Sequence, residues 1–199
     1  MAHVSNEVLT RAEASLGRPA ERVWSYPIHE SEMRMVVSST RNQTRLHDVT
    51  LFIFNPSGQV ALIRKHGYPP GAWRAPGGGV AMGEELVDGA MREALEETGL
   101  TVRVVRYLLR VHVTFTCGDV VQPWTTHVVV AEADDHAMPA TRDPKEIESV
   151  TWGSMADLCG PIAEAMLATG GGLFTYRVAL HREVARLLES QGAPADSSI

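Results

Sequence analysis

Three glutamates fall on one face of a helix that the sequence predicts. At 85–98 apolar residues recur with helical spacing, and Glu93, Glu96 and Glu97 stand at i, i+3 and i+4. A glycine-rich stretch at 77–79 lies just upstream, where backbone can approach a ligand closely. Carboxylates beside such a stretch are oxygen ligands of the kind that Mg²⁺ prefers. The pattern therefore predicts a divalent metal site, with a solvated helix face as the alternative.

The residues around these glutamates resemble the Nudix box, G-x5-E-x7-R-E-U-x-E-E-x-G-U, where U is a bulky aliphatic residue. Within residues 78–100 every fixed position of the box is matched, by Gly78, Glu84, Arg92, Glu93, Glu96, Glu97 and Gly99. Ala94 is smaller than the usual U residue, a departure that concerns packing and not the carboxylates. The likeness extends over about residues 49–152, while residues 1–45 and 160–199 lie outside it.

The resemblance to this family implies a reaction, a fold and a set of metal ligands. Family members hydrolyse a diphosphate linked to another moiety, usually a nucleoside diphosphate, with Mg²⁺ or Mn²⁺. The implied fold is α+β, an α/β/α sandwich with a mixed central sheet in which the box forms a loop, a helix and a loop. The implied metal ligands are the carbonyl of Gly78 and the carboxylates of Glu93, Glu96 and Glu97. Glu84 and Arg92 are implied to orient those carboxylates, as the groups behind a metal site do.

The general base is left open between Glu93, Glu146 and Glu148. Glu93 belongs to the box, whereas some relatives use a glutamate in a loop before a late strand. Glu146 and Glu148 precede the predicted strand at 149–152, and Glu146 is preferred. The alternative for both is an ordinary surface glutamate. In either case bound metals would neutralise the diphosphate and generate hydroxide from a bound water.

Substrate contacts are predicted on both sides of the glycine-rich stretch. Arg64, Lys65 and Arg74 can donate hydrogen bonds to phosphate oxygens, with solvated surface as the alternative. Trp73 can stack on a base, although an aromatic side chain in this composition is more often part of a core. No mark outside the box identifies the substrate, so ADP-ribose, nucleotide sugars and (d)NTPs stay open.

Two other functions compete with a nucleotide hydrolase. The first is a catalytically silent Nudix-like domain that senses or binds a nucleotide, but such modules commonly lose the box glutamates that are present here. The second is a hydrolase of a non-nucleotide diphosphate, which the box permits equally. The related isopentenyl-diphosphate isomerases need a catalytic cysteine in a local motif that this sequence lacks.

The composition predicts a globular protein with a small-molecule diphosphate as its partner. The 199 residues are 44% apolar, and the formal net charge is −6 with a pI near 5.7. These values exclude a largely disordered chain and a basic surface for a nucleic acid polymer. No apolar run approaches the roughly 20 residues that span a membrane. Two cysteines give no disulfide framework and no secretory signal is readable, which together predict a cytoplasmic protein.

The remaining pattern predicts the elements that position the site. A hairpin is expected at 49–65, irregular structure at 65–79, and Gly99 as the end of the central helix. Further elements are expected as strands at 102–115, 125–132 and 149–152, and as helices at 4–16, 154–168 and 173–189.

The predicted domain division is an N-terminal extension at 1–45, a Nudix hydrolase domain at 46–190 and a disordered tail at 191–199. The extension carries an amphipathic helix and a possible edge strand, for which 33–39 is the best candidate. Its apolar stretch at 33–37 must be buried, either on the same chain or on a partner. By analogy with related hydrolases, we expect a homodimer in which residues 1–45 contribute to the contact.

Overall fold

The computed structural model describes residues 4–43, 47–134 and 137–192. The helices are α1 (Asn6–Leu16), α2 (Glu30–Gln43), α3 (Leu86–Thr98), α4 (Met155–Cys159), α5 (Pro161–Leu167) and α6 (Gly172–Gly192). The strands are β1 (Ala20–Pro27), β2 (His47–Phe54), β3 (Val60–Lys65), β4 (Gly77–Gly79), β5 (Val102–Cys117), β6 (Val120–Ala133) and β7 (Ile147–Gly153). None of the helices in these ranges is long and apolar enough to cross a membrane. Residues 193–199 of the predicted tail lie outside the described residues.

The seven strands form one mixed sheet in the order β1-β5-β6-β2-β3-β7, with β4 paired to the start of β2. Strand β1 is parallel to β5 and β6 is parallel to β2, while the other neighbours are antiparallel. Because side chains alternate along a strand, β2 sends Leu51 to one face and Phe52 to the other. Leu51 packs with α1 and α3, and Phe52 packs with α2, α4, α5 and α6. The predicted α/β/α sandwich with a mixed central sheet is confirmed.

Helix α3 forms where the apolar spacing predicts it. Leu86, Ala90 and Ala94 recur at four-residue intervals and are buried against the sheet. The helix ends at Gly99, which has a φ of 70° and donates its N–H to the carbonyl of Leu95. That left-handed conformation favours glycine, so the predicted C-terminal cap is confirmed.

Two expectations about strands and irregular structure were wrong. The irregular stretch at 65–79 ends in strand β4, because the backbone of Gly77–Gly79 pairs with β2. Residues 33–39 lie inside helix α2 and not in a strand, and the edge strand of the extension is β1 instead. Met33 and Val36 are buried three positions apart, which is a helical period, and the short apolar run hid that period.

The N-terminal elements cover the sheet of their own chain. Val8 and Ala12 of α1 are buried on the face that carries α3, and Met33 and Val36 of α2 are buried on the opposite face. The apolar faces that led to the dimer prediction are therefore buried within the same chain.

Candidate active site

Glu97 is buried at the end of α3, against strand β4. Its carboxylate accepts a hydrogen bond from the Gly77 N–H at 2.6 Å and from Arg74 at 3.1 Å, and Nζ of Lys65 lies 3.4 Å from Oε1. Glu97 is 4% exposed and Arg74 only 2%. Burial alone would lower the pKa of Arg74, but Glu97 and Tyr68 outweigh it and raise that pKa. Arg74 and Glu97 therefore form a buried pair of opposite charges.

Glu93 lies directly over the backbone of Gly78. A Cβ atom at Gly78 would stand 2.2 Å from Oε2 of Glu93, so a side chain at that position would collide with the carboxylate. Glycine permits this close approach, and with a larger residue at position 78 the Glu93 carboxylate would have to move away from the backbone. The Glu93 side chain is 13% exposed and accepts a hydrogen bond from Arg92 at 2.9 Å. Two box glutamates thus converge on β4 from α3.

Arg92 holds the carboxylates on the outer side of the box. Its Nε and Nη2 donate to Glu84 at 2.9 and 3.1 Å, and Nη1 donates to Glu93 at 2.9 Å and to Glu96 at 3.1 Å. Nη2 also donates to the carbonyl of Gly79 at 2.8 Å. The hydrogen bond from Arg92 lowers the pKa of Glu84, and the same bond raises the pKa of Arg92. The structure brings together the residues that the resemblance implies as an orienting pair.

The donor chemistry of the box fits a hard divalent cation. Glu93, Glu96 and Glu97 offer carboxylate oxygens; Glu93 stands beside the backbone of Gly78 and Glu97 beside that of Gly77. The third, Glu96, has a side chain that is 51% exposed at the rim. Across the described ranges, no three acidic, histidine or cysteine side chains are already gathered as a metal site. In this structure arginines bind the box carboxylates instead: Arg74 pairs with Glu97, and Nη1 of Arg92 donates to both Glu93 and Glu96.

The two candidate bases outside the box differ in position. Glu146 forms an ion pair with Lys65, whose ammonium group also reaches Glu97. Glu148 instead pairs with Arg64 at 3.4 Å. Arg64 and Lys65 are neighbours on β3, so their side chains leave the strand on opposite faces. The structure therefore brings Glu146 to the box glutamates and leaves Glu148 with Arg64.

A cavity of about 340 Å³ opens beside the box. Its walls include residues from β2, β3, β4, β5, β6, α2 and α6, among them Asp48, Lys65, Arg74, Gly78, Phe115, Trp124, Glu146, Tyr176 and Arg177. A larger cavity of about 750 Å³, near Asn55 and Arg103, has no residue of the box on its walls, whereas the smaller cavity has Gly78. The smaller cavity is the one that adjoins the candidate chemistry.

The predicted substrate contacts are divided by this geometry. Arg74 lies on the cavity wall but is engaged with Glu97. Trp73 lines a separate cavity with Leu62 and Trp152, and Arg64 turns toward Glu148.

Sequence reasoning missed three residues on the cavity wall, which are Asp48, Tyr176 and Arg177. Oδ1 of Asp48 accepts hydrogen bonds from Trp124 at 3.0 Å and from Thr126 at 2.6 Å. Tyr176 donates to the hydroxyl of Thr126 at 2.6 Å. Burial, with Asp48 as the next cause, raises the pKa of Tyr176, which keeps the phenol protonated. No spacing links α6 to the box, so no motif signal was available for its residues.

A sandwich fold with a complete box of this geometry defines a class of proteins. The family model of the NUDIX domain matches residues 44–184. The chain belongs to the Nudix family, and the resemblance predicted from its box is confirmed.

Individual relatives match shorter stretches or match less closely. The RNA pyrophosphohydrolase of Caulobacter vibrioides is 47% identical over 55 residues, which are 27% of this chain and 32% of that protein. The isopentenyl-diphosphate Delta-isomerase of Cereibacter sphaeroides is 26% identical over 145 residues, or 68% of this chain and 79% of that protein. A solved UDP-X diphosphatase has a TM-score of 0.48 and 20% identity, covering 79% of this chain and 72% of that one. The chain thus spans about a third of the length of the RNA pyrophosphohydrolase that it matches.

Proposed function

We propose that the chain is a Nudix-type pyrophosphohydrolase dependent on Mg²⁺ or Mn²⁺. Its substrate would be a nucleoside diphosphate linked to another moiety, such as ADP-ribose, a nucleotide sugar or a (d)NTP. One observation carries the proposal: Glu93 and Glu97 converge on β4 beside an open cavity, with Arg92 and Glu84 behind them. A silent nucleotide-sensing domain would not need this full set of carboxylates.

The roles proposed for the residues follow from their positions. The carbonyl of Gly78 and the carboxylates of Glu93, Glu96 and Glu97 would hold the metal. When bound, the metal would supply Lewis-acid stabilisation of the diphosphate and a hydroxide nucleophile. Arg92 and Glu84 would fix the orientation of the outer carboxylates.

Glu146 is our proposal for the general base. It lies on the cavity wall, and Lys65 ties it to the side of the box where Glu97 lies. Glu93 remains the alternative within the box. Glu148 has less support, because its ion pair with Arg64 holds it away from Glu97.

The cavity gives unequal support to the predicted substrate contacts. Lys65 has better support than Arg64 as a phosphate contact, since Lys65 lines the cavity. Arg74 would act on the substrate only through Glu97, because it is buried against that carboxylate. A stacking role for Trp73 stays a prediction without support from this cavity.

The partner, the location and the assembly also stay at the level of proposals. The net charge of −6 favours a small-molecule substrate over a nucleic acid polymer. A cytoplasmic location and a homodimer are predictions from the sequence. For the dimer, the apolar faces of α1 and α2 no longer supply a reason.

A substrate panel tests the function. The full chain is incubated with Mg²⁺ and ADP-ribose, a nucleotide sugar, (d)NTPs, isopentenyl diphosphate and a 5′-triphosphorylated RNA oligonucleotide, and released phosphate, pyrophosphate and AMP are measured. We expect Mg²⁺-dependent hydrolysis of at least one nucleotide, reduced at least about 100-fold in Glu93→Gln. Nucleotide binding without turnover would contradict the proposal and favour the sensing domain. Turnover of the RNA alone would contradict the small-molecule assignment.

An isomerase reaction has no support in the cavity. Among the described residues, the cavity wall includes neither Cys117 nor Cys159, the two cysteines of the chain. The isopentenyl diphosphate arm of the panel, with product detection for the isomer, checks this reading.

A further inference from the structure

Arg177 is a cation on the cavity wall, which also carries the carboxylates of Asp48 and Glu146. It lies on α6, outside the box, and within the described ranges it forms no ion pair and no hydrogen bond. The other two cations on this wall are engaged, since Lys65 pairs with Glu146 and Arg74 pairs with Glu97. The charge of Arg177 is therefore available to a ligand.

The same cations lower the pKa of the phenol of Tyr68. Burial would raise the pKa of this phenol, but Arg74, Arg177 and Lys65 outweigh burial and lower that pKa. The three cations come from the loop, from α6 and from β3, and all three lie on the cavity wall. An anion that entered the cavity would meet the same positive potential.

The start of α6 is held by hydrogen bonds, which fix the position of the backbone near Arg177. The carboxylate of Glu32 on α2 accepts hydrogen bonds from the N–H groups of Gly172 and Leu173 at 3.1 and 3.0 Å. Tyr176, the neighbour of Arg177, is buried and donates to Thr126 on β6. A guanidinium on a positioned helix can donate two parallel hydrogen bonds to a pair of phosphate oxygens.

We propose that Arg177 binds a phosphate group of the substrate inside this cavity. The ligand class is a phosphate or diphosphate anion, because the cavity joins this free cation to the backbone of Gly78 at the box. The identification of that anion as part of a substrate rests on the proposed function. Helix α6 would then supply a binding residue that the box does not contain.

Anion binding is measured first, separately from hydrolysis. Inorganic pyrophosphate is titrated into the full chain by calorimetry, with and without Mg²⁺, and uncharged adenosine is the comparison ligand. In Arg177→Gln we expect pyrophosphate to bind at least about tenfold more weakly, while Arg177→Lys recovers part of the loss. Adenosine binding should not change. The matched control is Arg182→Gln, because Arg182 is exposed on the same helix and lines a different groove beside Trp24.

A structural role for Arg177 would be visible in the unliganded protein. Since the side chain has no partner among the described residues, Arg177→Gln should melt at the wild-type temperature. In steady-state kinetics with the best substrate of the panel, the loss should appear mainly as a higher KM.

The outcomes separate this inference from the proposed function. Unchanged pyrophosphate affinity in Arg177→Gln, an equal loss in Arg182→Gln, or no pyrophosphate binding by the wild type would each overturn the inference. Pyrophosphate binding that depends on Arg177 in a chain that hydrolyses nothing would support the inference and contradict the hydrolase proposal.

Discussion

Two arginines hold the glutamates of the box, and they differ in burial. Arg74 is 2% exposed and pairs with the buried Glu97, whereas the Arg92 side chain is 35% exposed and is shared among three carboxylates. Removing one partner of a buried pair leaves an uncompensated charge, while an exposed pair contributes little. The glutamates of the motif therefore contribute unequally to the stability of the protein.

Replacing Glu97 should affect stability as well as turnover. Glu97→Gln keeps the shape of the side chain but leaves Arg74 without its counter-charge, so we expect a loss of up to about 3–5 kcal/mol in the free energy of unfolding. Glu96→Gln is the matched variant, because half of the Glu96 side chain is exposed and Arg92 keeps its other partners. Urea denaturation followed by tryptophan fluorescence measures both. Equal stability of the two variants would contradict the unequal roles.

A buried histidine should make the fold sensitive to acid. His181 is fully buried with both ring nitrogens unpartnered, and burial, with Arg177 and Arg74, lowers its pKa to about 3. In the unfolded chain His181 binds a proton near pH 6.5, whereas in the folded chain it stays neutral down to a much lower pH. The free energy of unfolding is therefore undiminished by His181 above pH 6.5 and falls as the pH drops below it. At pH 5 the loss through His181 should be about 2 kcal/mol.

The test is the difference in unfolding free energy between pH 7.5 and pH 5. His181→Leu should remove about that amount of acid sensitivity, because the apolar side chain has no proton to gain. His66→Gln is the control, since His66 is exposed. The remaining sensitivity is assigned to His127, whose burial lowers its pKa well below the usual value. Identical pH profiles of wild type and His181→Leu would refute this account.

At the scale of elements, α2 and α6 are joined by a single carboxylate. Glu32 accepts the N–H groups of Gly172 and Leu173, which a helix start leaves without partners inside the helix. It also accepts the N–H of His29 at 2.8 Å, just before α2 begins. One carboxylate therefore binds N–H groups at the starts of both helices. The position of the cavity wall on α6 therefore depends on the N-terminal extension.

Removing this carboxylate should loosen the first turn of α6. Glu32→Ala is expected to lower the free energy of unfolding by about 1–2 kcal/mol, the usual effect of losing a helix cap. Hydrogen exchange of the amides at 172–176 should become faster, while the amides of α3 keep their protection. Glu30→Ala is the control, because Glu30 is exposed on the same helix and forms its ion pair with the exposed Arg34. Unaltered exchange at 172–176 would show that α6 is held by other contacts.

The sequence predicted those elements whose apolar spacing is visible within their own segment. Helix α3 and its end at Gly99 follow from local spacing and a glycine that tolerates a positive φ. Helix α2 was missed because its first turns contain a short apolar run, and such a run does not distinguish a strand from a helix. Gly160 and Pro161 also divide the helix predicted at 154–168 into α4 and α5.

The same limit applies to the candidate site. The box predicts which carboxylates, arginine and glycine belong together, because they lie within one loop and one helix. Lys65 and Arg64 are neighbours that both flank the loop. Which of them reaches Glu97 depends on which face of the sheet each side chain takes on β3. Asp48 and Arg177 enter the cavity through packing between distant elements, which no local pattern encodes.

For the whole molecule, the N-terminal elements are part of the packing on both faces of the sheet. Strand β1 extends the sheet beside β5, and α1 and α2 bury Val8, Ala12, Met33 and Val36 on the sheet of their own chain. Residues of α2 also contribute to the cavity wall. A chain without this segment would lose one edge of the sheet and part of the cavity.

Truncation at His47 should therefore prevent stable folding. The shortened chain would expose apolar residues of β5 and α6, so we expect aggregation or a loss of cooperative unfolding rather than an active smaller domain. Size-exclusion chromatography with light scattering compares it with the full chain. A folded, monomeric truncation would contradict this expectation. The same measurement tests the homodimer, since a full chain that scatters as 21.7 kDa at micromolar concentration would contradict the dimer.

The bonds from Glu32 to α6 also set a waiting time during synthesis. They join residues 140 and 141 positions apart, so α2 leaves the ribosome long before its partner exists. At about 5–20 residues per second, that interval is about 7 to 28 seconds. For this period the core cluster that Met33 and Val36 join is incomplete, because the apolar residues of α6 have not yet been synthesised. The nascent chain thus carries an exposed apolar face that chaperones can bind until α6 has emerged.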